Sequence, residues 1–281
     1  MPDTLRKRLR RLWLGLLTVS GARPAGFFIP YRYAAEVEPL GYPALEPVFA
    51  AAAGRMGEVL DAIDSHAAAF AAMQGGGGAP RFTQEWFPRL DACAAYALVR
   101  REKPGRVIEI GSGHSTRFLA RAVADGGLAT RITCVDPAPR AAIAALNVEH
   151  VAAVLAQADP ALFEGLAAGD FVFVDSSHIA MPGTDVDRLV LDILPRLKPG
   201  VFVHFHDIVL PDAYPPALAQ WAYNEQGMVG ALLQGGAWQL VFSSHYVKTR
   251  MAARVAAGVA ASLPLPGGAI EGSVWLKKML A

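Results

Sequence analysis

The chain has 281 residues, enough for one α/β domain of ordinary size plus an extension, and its hydrophobic fraction of 53 % permits a large core. A formal charge of +1 gives no global pull toward nucleic acid, and none is expected as a partner. The two cysteines, Cys93 and Cys134, stand in apolar contexts, which reads as buried small hydrophobes in a reducing cytoplasm and not as a disulfide framework.

At the N-terminus Arg6, Lys7, Arg8, Arg10 and Arg11 precede the apolar run Leu12–Leu17. The run is short of the roughly 18 residues that span a bilayer, and no small-residue cleavage site follows it. It predicts a short amphipathic helix that docks on its own domain or, through residues 5–17, touches an anionic membrane surface. Residues 21–48, with Phe27-Phe28-Ile29-Pro30-Tyr31-Arg32-Tyr33, read as an irregular arm over something apolar. Leu45 to Met73 has helical periodicity. Gln74-Gly75-Gly76-Gly77-Gly78-Ala79-Pro80 reads as a linker, dividing an extension at 1–75 from a domain at 76–281. Trp86, Phe87 and Arg89 precede the first strand and are pocket candidates, with plain packing as the alternative; a helix follows over 92–101.

The domain is organised around Arg106-Val107-Ile108-Glu109-Ile110-Gly111-Ser112-Gly113-His114-Ser115-Thr116. Val107, Ile108 and Ile110 predict a buried strand, the glycines a tight turn, and Ser115-Thr116 the start of a helix. Strand, glycine turn and helix make a nucleotide-binding corner, where free N–H groups and a positive dipole end face the ligand. The third glycine of the dinucleotide fingerprint is missing, and Glu109 suits a cationic or hydroxyl-bearing ligand better than a pyrophosphate. Glu109, Gly111, Ser112, Gly113 and Ser115 are the first cofactor-binding candidates. A second strand, 131–136, ends in Asp136, placed either to accept hydrogen bonds from ribose hydroxyls or to cap the turn at Pro137. A third strand over 148–155 leads to Gln157, a candidate to face an adenine.

A fourth strand, 169–175, is apolar through its middle and so central. It ends at Asp175-Ser176-Ser177-His178. Residues 185–198 form an amphipathic helix, and the fifth strand, 201–207, ends in His204-Phe205-His206-Asp207. Residues 216–234 are helical, and 238–243 and 273–277 close a seven-stranded, mostly parallel, doubly wound Rossmann-like sheet. Carboxyl ends of adjacent parallel strands converge on the ligand crevice, so Asp175, His178, His206 and Asp207 share one edge of the pocket. Asp175, His178 and His206 are the catalytic candidates, with Asp175, Asp207 and His206 as the candidate metal set for magnesium, manganese or iron. His204, deeper in its strand, reads as a core residue.

Glu109-Ile110-Gly111-Ser112-Gly113 resembles the first motif of class I S-adenosylmethionine-dependent methyltransferases, and residues 81–281 resemble that class as a whole. The second half is similar to the metal-dependent O-methyltransferases of the catechol type. That resemblance implies metal-ligating aspartates at Asp175 and Asp207 and a base near the acceptor at His178, whose ordinary pKa near 6.5 suits proton abstraction at neutral pH. The family's third ligand position holds Ile208, which cannot ligate. Asp175-Ser176-Ser177-His178 with His204-Phe205-His206-Asp207-Ile208 also resembles a bacterial family of uncharacterised methyltransferases, sometimes found with glycan or natural-product genes. The implied reaction is methyl transfer from S-adenosylmethionine to an oxygen of a small-molecule or glycan acceptor, with Asn224, Glu225 and His245 as acceptor-reading candidates. The residues leave open a cofactor-binding module without catalysis, a His/Asp metal enzyme of another reaction type, and a homodimer.

Overall fold

The computed structural model describes residues 2–73, 75 and 78–280, without the side chains of residues 2–4 and 7. Gln74, Gly76 and Gly77 of the expected linker lie outside the described residues. The chain divides into two compact units, residues 1–39 and 40–281.

The first unit holds α1 (Pro2–Val19) and a one-turn 3₁₀ helix, Ala34–Glu36. Among the described residues no helix is long and apolar enough to cross a membrane.

The second unit contains a seven-stranded sheet in the order β3-β2-β1-β4-β5-β7-β6. The strands are β1 (Arg106–Ile110), β2 (Arg131–Val135), β3 (Glu149–Val151), β4 (Phe171–Val174), β5 (Phe202–Phe205), β6 (Trp238–Ser243) and β7 (Val274–Lys278). β1 to β5 pair in parallel, and β7 runs antiparallel to both β5 and β6. All four residues of β4 are buried, as its unbroken apolar run requires of a strand covered on both faces. Because β1 lies between β2 and β4, the chain order reverses there. The carboxyl ends of these strands therefore flank the switch-point crevice.

Helices α2 (Glu46–Ala50), α3 (Ala53–Asp64) and α4 (Ala67–Ala71) replace the single helix expected over 45–73. The two breaks are tightened turns in which Ala52 N–H donates to the Phe49 carbonyl and His66 N–H to the Ile63 carbonyl, both at 3.0 Å. These residues were expected in the extension. Instead Phe49, Met56, Val59, Leu60, Ile63 and Phe70 are buried in the same core as the sheet, against α5 (Arg89–Glu102). The compact units thus divide at 39/40, not 75/76.

The helix expected over 185–198 is three pieces: α7 (Asp185–Arg188), a π-helical turn over Leu189–Ile193, and α8 (Leu194–Arg196). Pro195 has no N–H to give to the ladder, and the helix widens immediately before it. The helix expected over 216–234 is also divided, into α9 (Pro216–Ala219) and α10 (Glu225–Gln234), with Ala222 in the left-handed region at φ 59°. This second break matters for the site.

Candidate active site

The glycine corner is built as expected, with a different division of labour. Gly111 follows β1 at φ 78°, and a Cβ there would stand 1.9 Å from the Asp175 carbonyl oxygen. Only glycine lets the loop pass the end of β4 this closely. Gly113 precedes α6 (His114–Gly126), and its N–H donates to Thr116 Oγ1 at 2.9 Å.

Glu109 was expected to hold the cofactor directly. It is fully buried, and its two carboxylate oxygens accept from Ser115 Oγ at 2.6 Å and Thr116 Oγ1 at 2.7 Å. Burial raises its carboxyl to about 7 against the pull of these hydroxyls. Glu109 therefore braces the first turn of α6 against β1, and the Ser115 hydroxyl is spent on the same brace. Asp136 makes three bonds to the chain: Ser112 N–H at 2.6 Å and Ser112 Oγ at 3.0 Å to one oxygen, and Ala138 N–H at 2.7 Å to the other. The turn-capping role is thus realised. A carboxylate has about four acceptor positions, so one stays open, and a second is freed when the Ser112 hydroxyl rotates away.

A cleft lies over this loop, bordered by Trp86, Phe87, Gly113, His114, Arg140 and Asp175. The Arg140 guanidinium carbon sits 4.7 Å from the Trp86 ring centre, a cation–π contact. His114 Nδ1 is buried without a partner, and burial lowers this imidazole to about 4, so it is neutral at physiological pH. Of the other pocket candidates, Phe87 is buried against His206 at 5.3 Å between ring centres. Arg89 turns away to pair with Glu271 at 2.9 Å. Gln157 is exposed at the end of a one-turn 3₁₀ helix, Leu155–Gln157, and is not among the residues lining the cleft.

The ends of β4 and β5 bring four expected residues together. His178 Nε2 lies 3.5 Å from Asp175 Oδ1 and 3.6 Å from Asp207 Oδ2. His206 Nδ1 lies 3.5 Å from Asp175 Oδ1 and 3.6 Å from Asp207 Oδ1. Each imidazole thus faces the same two carboxylates. Each is also held from behind by a fully buried acid: His178 Nδ1 by Glu225 at 3.0 Å, and His206 Nε2 by Asp91 at 3.1 Å. Both His178, at φ 59°, and Asp207, at φ 56°, occupy the left-handed region that bulky residues rarely adopt. Strain of that kind persists where surrounding contacts fix it.

Burial pushes His178 down, but hydrogen bonds to Asp175 and Glu225 and the charges of Glu225 and Asp207 outweigh it and raise the imidazole to about 10. His206 is raised well above its usual range for the same reason: Asp175 and Asp207 overcome burial. Conversely, burial pushes Asp175 up while the two imidazoliums hold it well below the usual carboxylate range. At rest His178 is therefore an imidazolium, not the half-neutral base its ordinary pKa implied.

Two partners in this array escaped the sequence. Asp91, in the first turn of α5, also accepts from Gly272 N–H at 3.2 Å and Ser273 N–H at 2.9 Å, tying the helix to the segment before β7. Glu225, expected to read an acceptor, instead supports His178. The break between α9 and α10 aims it there. Asn224 and Glu225 N–H groups donate to the His178 carbonyl at 3.1 and 3.3 Å, and Ala180 N–H donates to Asn224 Oδ1 at 2.6 Å. His245 pairs with Asp212 at 2.6 Å in a network shared with Arg250. His204 is the expected core residue, stacked on Phe173 at 3.7 Å and hydrogen-bonded to Ser273 Oγ at 2.8 Å.

Residues 108–208, from the middle of β1 to the residue after Asp207, match the family described as "Methyltransferase domain". Among solved structures, the chain is similar to the SAH-bound methyltransferase PaMTH1 of Podospora anserina (16 % identity, 90 % of this chain and 99 % of that one, TM-score 0.43). It is also similar to an O-methyltransferase of Bacillus cereus in complex with SAH (14 %, 79 % and 90 %, TM-score 0.41). A third is the O-methyltransferase TomG of Streptomyces achromogenes in complex with SAM (18 %, 79 % and 90 %, TM-score 0.40). No curated protein matches the chain significantly.

Proposed function

We propose that the chain, whose residues 108–208 match the methyltransferase-domain family, is a class I enzyme that transfers a methyl group from S-adenosylmethionine to an oxygen of a small-molecule or glycan acceptor, with His178 taking the acceptor's proton. One observation carries this reading. Asp175 joins the two halves of the site: its carbonyl closes on Gly111, and its carboxylate faces His178 and His206.

The chain's own residues suit this cofactor. The cleft over Gly111–Gly113, the open acceptor position on Asp136 and the unpartnered His114 Nδ1 offer hydrogen-bonding groups beside a backbone that no Cβ obstructs. When bound there, the cofactor supplies an electrophilic methyl carbon on a sulfonium sulfur. The Gly111–Gly113 backbone and Asp136 hold and orient it. Glu225 fixes the His178 ring through Nδ1 and leaves Nε2 pointing at Asp175 and Asp207. As the acceptor oxygen takes up the methyl group, its proton would pass to Nε2 of neutral His178, the only part of the step this chain's residues carry. The imidazolium so formed is stabilised by the three surrounding carboxylates.

Metal assistance does not fit the residues present. Asp175 and Asp207 are engaged by the two imidazoles, and the position after Asp207 holds Ile208, which is buried in the core. Among the described residues no group of three or more His, Cys, Asp or Glu side chains is arranged to hold a metal ion. The expected set of Asp175, Asp207 and His206 is therefore not assigned to magnesium, manganese or iron. The two imidazoles supply the positive charge facing that carboxylate pair instead. The two free, buried cysteines support a reducing compartment, and the proposal includes a cytoplasmic location.

The test is transfer of a labelled methyl group from S-adenosylmethionine to a panel of hydroxylated acceptors. His178→Ala should abolish turnover and leave cofactor affinity within about threefold. Unchanged turnover would remove His178 from the reaction.

A further inference from the structure

We infer that α1 is an interfacial anchor that lays the chain on an anionic lipid surface. This inference is independent of the methyl-transfer reading. Leu5, Leu9, Leu12, Leu16 and Val19 recur at three- and four-residue spacing, so at about 100° per residue they share one stripe roughly 80° wide. All five are 55–62 % exposed, and Trp13, at the edge of the stripe, is 61 % exposed. The far side of the helix is treated differently. The Arg23 N–H donates to the Leu17 carbonyl and the Ala25 N–H to Thr18 Oγ1, both at 3.1 Å. The turn after the helix thus folds back. The stripe is left open while Leu14, Leu17 and Thr18, across the helix from it, are half-buried.

Charge selects the occupant. Five of the 18 residues of α1 are Arg or Lys and one, Asp3, is acidic. On the helical wheel Arg6 and Arg8 flank the apolar stripe and Lys7, Arg10 and Arg11 lie beyond them. Outside α1 the chain has 21 of its 26 Lys and Arg and 24 of its 25 Asp and Glu, so the remainder is net −3. An anionic surface therefore attracts this helix and weakly repels the rest, which orients the chain. A second copy docked stripe to stripe would set like-charged flanks against each other. A nucleic acid would use the arginines and leave the leucines in water. A bilayer interface takes both: leucines in the acyl boundary, arginines at the phosphates. The same unit adds Phe27, Phe28, Ile29 and Tyr31, all 56–65 % exposed: apolar side chains for the acyl boundary and a tyrosine for the headgroup level. At 18 residues and about 1.5 Å each, α1 lies along the surface, about 27 Å long, and does not span it.

The experiment is cosedimentation of the full chain with vesicles of phosphatidylcholine alone and of phosphatidylcholine mixed with phosphatidylglycerol. Partitioning at least tenfold greater into the anionic vesicles, falling as salt is raised, is expected. Leu9→Ser/Leu12→Ser/Leu16→Ser should reduce it at least tenfold. Arg6→Gln and Arg10→Gln should each reduce it about fivefold, the worth of one basic residue at such a surface. Failure to sediment with either vesicle overturns the proposal. So does a triple-serine variant that binds as well as the parent, or a concentration-dependent dimer that the leucine changes dissolve while vesicle binding is absent.

Discussion

Glu225→Gln should lower the pKa of His178 and, with it, the upper pH limit of part of the protein's stability. The ring is held near 10 by Asp175, Glu225 and Asp207 against the cost of burial. The distance from the ordinary 6.5 to about 10 corresponds to about 5 kcal/mol at 1.36 kcal/mol per pH unit. Because the folded value is raised, this contribution is complete below about pH 6.5 and is lost as pH climbs through about 10. Removing one of three carboxylates while keeping a hydrogen-bond acceptor on Nδ1 should bring the midpoint down by roughly one to two pH units, to roughly 8 to 9. The assay is a pH titration of carbon-13-labelled imidazoles by NMR. The His178 resonance among the seven histidines is identified by its absence in His178→Asn. A parent midpoint near 6.5 would refute the electrostatic reasoning, and so would a midpoint that Glu225→Gln leaves in place.

The same proton sets the rate. With His178 neutral in roughly one molecule per thousand at pH 7, kcat/KM should rise about tenfold per pH unit and level off near pH 10; a plateau already reached at pH 7 contradicts the assignment. Gly111→Ala forces a Cβ to within 1.9 Å of the Asp175 carbonyl in a left-handed backbone, and should abolish cofactor binding or soluble expression; ordinary binding would mean that the turn is not as close as described. Asp91→Ala leaves His206 and the N–H groups of Gly272 and Ser273 without their acceptor, at a cost of about 3–5 kcal/mol, so calorimetry should record a melting temperature lower by roughly 10 °C; a change under about 2 °C would make the Asp91 contacts dispensable. EDTA should leave cofactor affinity unchanged, and restoration of lost activity by a divalent ion would return the metal to the site.

The sheet was legible because its strands are compact runs rich in β-branched and aromatic residues: Val107–Ile110, Ile132–Val135 and Phe171–Val174 need no partner to be recognised. The residues at strand ends were legible for a related reason, since parallel topology sends Asp136, Asp175, His206 and Asp207 to one edge. What lay hidden depends on distance along the chain. Asp91 and His206 are 115 positions apart, and Glu225 and His178 are 47 apart, so no spacing marks either pair. The protonation of His178 was hidden for the same reason, because three carboxylates from separate segments determine it. Glu109 misled through position. A buried acid beside a glycine loop faces the cofactor only if nearer donors leave it free, and Ser115 and Thr116 do not. The break at Ala222 is equally tertiary: the helical pattern runs through it, and the hydrogen bonds to the His178 carbonyl decide where α10 begins.

The most direct measurement is calorimetric titration of the chain with S-adenosylmethionine, before and after treatment with EDTA, beside an Asp136→Ala variant. Micromolar binding indifferent to EDTA and weakened at least tenfold in the variant is the expected result. No binding to the parent chain under either condition would contradict the methyltransferase reading at its root.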